Sequence, residues 1–252
     1  MKEEMASLMK NQTWELVPLP KGAKPVDCRW LFRIKEGSSE NEPPKYKSRL
    51  VAKGFSQKEG IDYNEVFSPV VKHKSIRVLL AMVSCYNLEL EQLDVKTAFL
   101  HGYLEEEIYM KQPEGFVDSE NPNHVCLLKK SLYGLKQSPR QWYKRFDSFV
   151  TSHGFIRNQF DNCVYSKKLL DGSLMYLLLY VDDMLIAAKN QAEINELKRL
   201  LGSEFEMKDL GAARKILGME IRRDRDAGLL WVSQQKYVEK LLQTFSMHQS
   251  NR

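Results

Sequence analysis

Apolar residues at 142, 146, 149 and 150 recur at helical spacing within SPRQWYKRFDSFVTSHG, which opens on Ser138 and Pro139 and closes on Gly154. A Ser N-cap, a first-turn Pro and a terminal Gly predict a helix over Ser138–Gly154. The same spacing predicts helices over Ser75–Tyr86, Gln191–Phe205 and Gln234–Phe245, with a short helical lead-in over residues 1–10. Leu174–Val181 is a run of eight apolar residues, the pattern of a buried strand, and Met184–Ala188 is a second strand directly after Asp182 and Asp183. The two aspartates therefore occupy a hairpin tip. LELEQLDV at 88–95 reads as a strand ending on Asp94, with TAFLHG as the turn beyond it. After a turn-rich entry, PLPKGAKPV, Cys28–Lys35 and Tyr46–Lys53 form a predicted hairpin; its polar loop, EGSSENEPP, is expected to have a mobile tip. Shorter strands are predicted at Asn162–Ser166, Ile216–Ile221 and Leu229–Val232. There is no internal repeat and no regular strand–helix alternation, so the expected class is α+β, an antiparallel sheet backed by helices.

Composition narrows the class further. With 252 residues, 43% of them hydrophobic and 28% charged, the chain can bury the core of one large domain or two small ones. Its longest apolar run falls far short of the roughly 20 residues that a membrane helix needs. The amphipathic, acidic N-terminus lacks an apolar core and cleavage site, so no secretory signal is expected. Cysteines at 28, 85, 126 and 163 form no CxxC pair and the five histidines are scattered, which argues against a thiolate or imidazole metal centre and for reduced, structural thiols.

The net charge of +5 matters through its distribution. Pro43–Lys58 holds Lys45, Lys47, Arg49, Lys53 and Lys58 with no acid, and Cys126–Phe146 holds six basic residues with no acid. Tyr46 and Phe55 lie in the first stripe; Tyr133, Trp142, Tyr143 and Phe146 lie in the second. Basic residues interleaved with aromatics suit phosphates and bases, and two solvated basic faces give the same pattern.

Adjacent carboxylates at Asp182 and Asp183 repel unless a cation neutralises them, although Asp–Asp is also ordinary turn chemistry. Asp94 ends a strand of similar character. Three converging carboxylates would make a hard, oxygen-rich site for Mg²⁺, and two such ions serve polymerases and nucleases alike. Spacing alone does not separate these.

The longer motifs do. QLDVKTAFLHGYLEEEIYMKQPEGF at 92–116, SLYGLKQSPRQWYKRFD at 131–147 and LLLYVDDMLIA at 177–187 resemble the reverse transcriptase domain of copia-type LTR retrotransposon Pol polyproteins. Flanking blocks at 47–72 and 208–242 resemble the same family, in the same order, over nearly the whole chain. The resemblance implies a right-hand polymerase. A lead-in at 1–19 would precede fingers at about 20–90, a ferredoxin-like palm with an antiparallel sheet at about 91–227, and the start of a thumb at about 228–252. It implies an RNA-directed DNA polymerase that adds dNTPs to a primer 3′-hydroxyl with two Mg²⁺ ions, for which Mn²⁺ substitutes.

By the same resemblance Asp94 and Asp182 are the principal metal ligands and Asp183 a less direct one. Lys47, Arg49 and Lys53 would meet the triphosphate. Gln137 would lie beside the sugar, supported by Arg140, and Phe99 would face the sugar 2′ position. Tyr180, Met184 and the turn Leu217–Gly218–Met219 would contact primer and template, with Lys208 in the loop before that turn. Glu105, Glu106 and Glu107 are read as a solvated edge. Implied partners are an RNA or DNA template with primer, dNTPs, and RNase H and integrase domains of a full-length polyprotein, with no membrane. The implied location is intracellular, in a cytoplasmic particle or the nucleus. Because these domains are missing, the chain is expected to be a fragment, a remnant copy or a processed piece. An inactive nucleic-acid-binding remnant is the alternative; a cyclase or phosphodiesterase on a similar palm is a third reading.

Overall fold

The computed structural model describes residues 1–35 and 43–247. The expected mobile loop tip falls on 36–42, outside the described residues. Among the described residues the α-helices are α1 (Lys2–Lys10), α2 (His73–Cys85), α3 (Ser138–Ser152), α4 (Gln191–Glu204) and α5 (Gln235–Thr244). The strands of the first half are β1 (Trp14–Pro18), β2 (Cys28–Lys35), β3 (Lys45–Ala52), β4 (Glu89–Val95), β5 (Tyr103–Met110) and β6 (His124–Lys130). Those of the second half are β7 (Ile156–Arg157), β8 (Val164–Lys168), β9 (Leu174–Tyr180), β10 (Asp183–Ala188), β11 (Met207–Ala212), β12 (Lys215–Ile216), β13 (Met219–Asp224) and β14 (Leu229–Ser233). Every ladder between these strands is antiparallel, as the mixed pattern predicted.

The chain forms two compact units, each drawn from two stretches: 1–69 with 97–152, and 70–96 with 153 onward. In the first, β1, β6 and β5 form a sheet in that order. Met5 and Leu8 of α1, Leu50 and Ala52 of β3, Ile108 and Met110 share its core. The β2–β3 hairpin has two chemically different faces, because register and strand alternation put cross-strand partners on the same side. Trp30, Phe32 and Ile34 oppose Leu50, Ser48 and Tyr46 on one side; Arg29, Leu31 and Arg33 oppose Val51, Arg49 and Lys47 on the other. Where β3 ends, Gly54 and Gly134 let two backbones meet: a Cβ on Gly134 would lie 2.1 Å from the Ala52 carbonyl oxygen, and one on Gly54 would lie 2.0 Å from that of Gly134.

The second unit is built on a six-stranded sheet in the order β11-β4-β10-β9-β8-β7, with β12-β13-β14 as a smaller sheet. α4 buries Ile194, Leu197 and Leu201. Between them Lys198 reaches Glu91 of β4 and Asp209 of β11. Burial opposes the Lys198 charge, but its bonds to Asp209 and Glu91 prevail and hold its pKa up. At the N-terminus of α2, Asp161 accepts from the Lys72 N–H, a donor that the helix leaves open, and from the Ser75 hydroxyl.

Several expectations change. The strand expected at Ile216–Ile221 is broken by a turn at Leu217–Gly218 and continues as β13. β1, β5, β6, β7 and β11 were not anticipated: β5 carries three consecutive acids and β11 a glycine, and each hides the period-2 signal. All four cysteines are free, as expected. Burial pushes the Cys28 thiol up to about 11 and that of Cys126 to about 12. Among the described residues no helix is long and apolar enough to cross a membrane.

Candidate active site

β9 and β10 are fully buried over most of their length and emerge at a two-residue turn, Val181–Asp182, closed by the pair Tyr180–Asp183. Val181 has φ 56°, in the left-handed region that a β-branched residue rarely enters. Such strain costs on the order of 1–3 kcal/mol and persists only where the surroundings impose it. Here two buried strands do so. On the other side of β10, Asp183 pairs with Asp94, and the Val95 N–H donates to the Asp182 carbonyl at 2.8 Å.

The ladders thus generate one cross-strand row, Lys208, Asp94, Asp183 and Tyr180, on the same face of the sheet. Asp209 and Glu91, which Lys198 of α4 engages, occupy the alternating positions of the opposite face. The side chain directly across from Asp94 is therefore Asp183, with Asp182 in the turn beside them. Asp183 has its pKa raised, chiefly by burial and further by the charges of Asp182 and Asp94, against a Gln92 amide that donates to it at 3.2 Å. The three carboxylates are hard oxygen donors whose mutual repulsion a divalent cation would relieve. In donor type and charge they fit Mg²⁺. As the side chains stand, the described residues contain no group of three or more acids, histidines or cysteines arranged to hold a metal.

Asp183 and Gln92 also line an open cavity of about 420 Å³ together with Arg214, Lys215, Leu217 and Gly218. Leu217 and Gly218 both have positive φ, 50° and 76°, between the paired Ile216 and Met219. That is the pattern of a type I′ hairpin turn, and Met219 anchors it in the core. The cavity brings the predicted turn and one predicted carboxylate together. Lys208 departs from expectation: it lies in β11, opposite Asp94, not in a loop. Met184 requires a correction as well. Strand alternation turns it away from Asp183, and it is fully buried, so it offers no surface to primer or template.

The remaining expected residues belong to the first unit. Lys47 and Arg49 lie on the basic face of β3; Lys53 lies just beyond, its Nζ 3.6 Å from an Asp27 carboxylate oxygen. Phe99 is half-buried in a short 3₁₀ turn over Ala98–His101. Gln137, expected beside a sugar, is fully buried. Its amide N–H groups donate to the Asp62 carbonyl and Glu106, and its oxygen accepts from Gln57, so the side chain ties loops together. Arg140 pairs with Glu65 and donates to the Phe67 carbonyl. The glutamates read as a solvated edge are engaged too, Glu105 with Lys144 and Glu107 with the Tyr109 hydroxyl. Much of the second basic stripe is internally satisfied: Lys129 pairs with Glu15, Lys144 with Glu105, and Lys136 donates to Gln57 and Tyr63.

One residue beside the expected nucleotide site was singled out in the sequence only as an aromatic of the second basic stripe. The Tyr133 ring lies 4.7 Å from the Arg49 guanidinium carbon and 5.1 Å from the Phe99 ring, centroid to centroid for the two rings.

The family model described as reverse transcriptase (RNA-dependent DNA polymerase) matches residues 11–252, and the chain belongs to that family. Within it, the chain is a reverse transcriptase domain of the copia type found in retrotransposon Pol polyproteins. It is 55% identical over 247 residues to the retrovirus-related Pol polyprotein from transposon TNT 1-94 of Nicotiana tabacum, covering 98% of this chain and 18% of that protein. The Pol polyprotein from transposon RE1 of Arabidopsis thaliana is 39% identical over 248 residues, covering 98% of this chain and 17% of that protein. The chain thus spans under a fifth of the length of these curated relatives. Among solved structures, apo telomerase from Candida tropicalis, truncated from its C-terminal domain, aligns over 92% of this chain and 59% of that one, at TM-score 0.43 and 10% identity.

Proposed function

We propose that this chain is an RNA-directed DNA polymerase domain that adds dNTPs to a primer 3′-hydroxyl under template direction. The observation that carries this reading is the carboxylate row Asp94–Asp183, with Asp182 in the adjoining turn and Asp183 lining a cavity together with the Leu217–Gly218 turn. In right-hand terms the basic hairpin belongs to the fingers, the six-stranded sheet to the palm, and residues from about 228 to the start of the thumb.

Asp94, Asp182 and Asp183 would hold two divalent cations, Mg²⁺ or Mn²⁺. Bound there, the ions supply positive charge that acidifies the primer hydroxyl and neutralises the leaving pyrophosphate. The chain's own residues do the rest. The Leu217–Gly218 turn seats the primer end beside Asp183, where Arg214 and Lys215 suit its phosphates. Lys47 and Arg49 meet the triphosphate oxygens, and Phe99 occupies the space that a ribose 2′-hydroxyl would need. The primer oxygen then bonds to the α-phosphorus as the bond to the β-phosphate oxygen breaks. In a full polyprotein, RNase H and integrase domains would accompany this one.

The second reading is a nucleic-acid-binding remnant without catalysis, for which the basic face of the β2–β3 hairpin would suffice. Extension of oligo(dT) on poly(rA) with Mg²⁺ separates the two. The polymerase reading predicts dTTP incorporation that stops on chelation. Duplex binding without extension would identify the remnant, and primer-independent turnover of nucleotides would contradict both.

A further inference from the structure

Tyr133 is held from two directions within the first unit. Its carbonyl accepts the Ala52 N–H at 2.8 Å, which fixes the Tyr133 backbone to the end of β3. Gly134 then adopts φ 94° and runs so close to the Ala52 carbonyl that no larger residue fits without displacement. The strand carrying Arg49 and the loop carrying Tyr133 are therefore locked in register. The half-buried ring lies within contact of both the Arg49 guanidinium and the Phe99 ring. A guanidinium held at a ring by cation–π attraction keeps N–H donors for phosphate oxygens, and tilted rings at about 5 Å separation favour one another by geometry as well as by area.

We infer that Tyr133 is a positioning residue for the incoming nucleotide, one ring that sets both the triphosphate contact at Arg49 and the sugar contact at Phe99. This rests on the polymerase reading above and deepens it: affinity for the triphosphate and rejection of ribose become coupled properties. Loss of the ring frees Arg49 to sample other rotamers and removes the wall behind Phe99. The phenolic hydroxyl has no part in either contact.

The test compares wild type, Tyr133→Leu and Tyr133→Phe in single-nucleotide insertion with dTTP and UTP on poly(rA)–oligo(dT). Tyr133→Leu should raise the dTTP KM and lower the dTTP-over-UTP preference, each by about tenfold, with kcat changed by less than about threefold. Tyr133→Phe should restore both. An unchanged KM and sugar preference in Tyr133→Leu, or equal damage in Tyr133→Phe, would overturn the inference. Arg49→Gln, which leaves the Tyr133 loop intact, is the second variant if Tyr133→Leu does not fold. It should shift sugar preference in the same direction, and an unshifted preference would count against the coupling. Should the wild type add no nucleotide, equilibrium binding of dTTP and UTP to the same proteins supplies the readout. Weaker, less selective binding by Tyr133→Leu alone would sustain Tyr133 while removing the polymerase reading; identical binding by all variants would remove the inference.

Discussion

Phe99 shows how one side chain is placed by residues that sequence reasoning did not connect with it. Its turn is capped by Thr97, a β-branched residue in the left-handed region at φ 51°, two positions before it. Its ring then meets Tyr133. A pocket rejects an added hydroxyl poorly unless something stands in the way, and a ring held on one side is a stiff obstacle. Phe99→Val should therefore raise rNTP relative to dNTP incorporation efficiency by at least about tenfold, roughly 1.4 kcal/mol in relative barrier. Insertion kinetics with dTTP and UTP measure it; an unchanged ratio in a folded, active variant would make Phe99 a packing residue. That Asp94 lies near a strand end and Asp182–Asp183 at a hairpin turn was legible, because each follows a strand-like run in the sequence. The pairing of Asp183, not Asp182, with Asp94 was not, because it depends on register across separate strands. The burial of Gln137 was not legible for a related reason: motif position says nothing about whether an amide is consumed by its neighbours.

At the scale of elements, the β2–β3 hairpin illustrates what alternation conveys. Arg33 faces Lys47 directly across the ladder, which concentrates positive charge on one face of the hairpin, with Glu4 of α1 close enough to Lys47 to feel its charge. The opposite face keeps Phe32, Ile34 and Tyr46 at 66%, 61% and 79% exposure, so this ribbon is no ordinary core element. The lysines of the second stripe already have protein partners, and a neutralised lysine releases fewer counterions. Affinity for a template–primer duplex should thus fall steeply with salt, and the slope should flatten by about one to two for Arg33→Gln with Lys47→Gln. Lys129→Gln with Lys144→Gln should change it less. Fluorescence anisotropy across a salt series distinguishes the pairs, and a larger effect from Lys129 and Lys144 would return the interface to the second stripe. The hairpin was visible in sequence because both strands are β-rich and bounded by a polar loop. β5 and β11 were not, since acids and a glycine stand where alternation would have shown them.

Over the whole molecule, the sequence motifs divide between two compact units that interleave along the chain. The carboxylates and the Leu217–Gly218 turn belong to one; Arg49, Phe99 and Tyr133 belong to the other. No linear reading anticipates that split, because unit membership follows long-range pairing and each unit takes residues from both ends of a stretch. The polymerase reading gives a role to both sets, whereas binding of a duplex requires only basic surface. The carboxylates therefore separate a polymerase from a binding module. Asp94→Asn and Asp182→Asn remove charge from a strand end and a turn, neither of which supports the core, so fold and duplex affinity should persist. The decisive measurement is Mg²⁺-dependent primer extension by these two variants beside wild type, at matched protein and duplex concentrations. The account predicts extension by wild type and a loss of at least about a thousandfold in each variant, the scale expected when transition-state charge goes unopposed. Extension by either variant at a rate near that of wild type would contradict it.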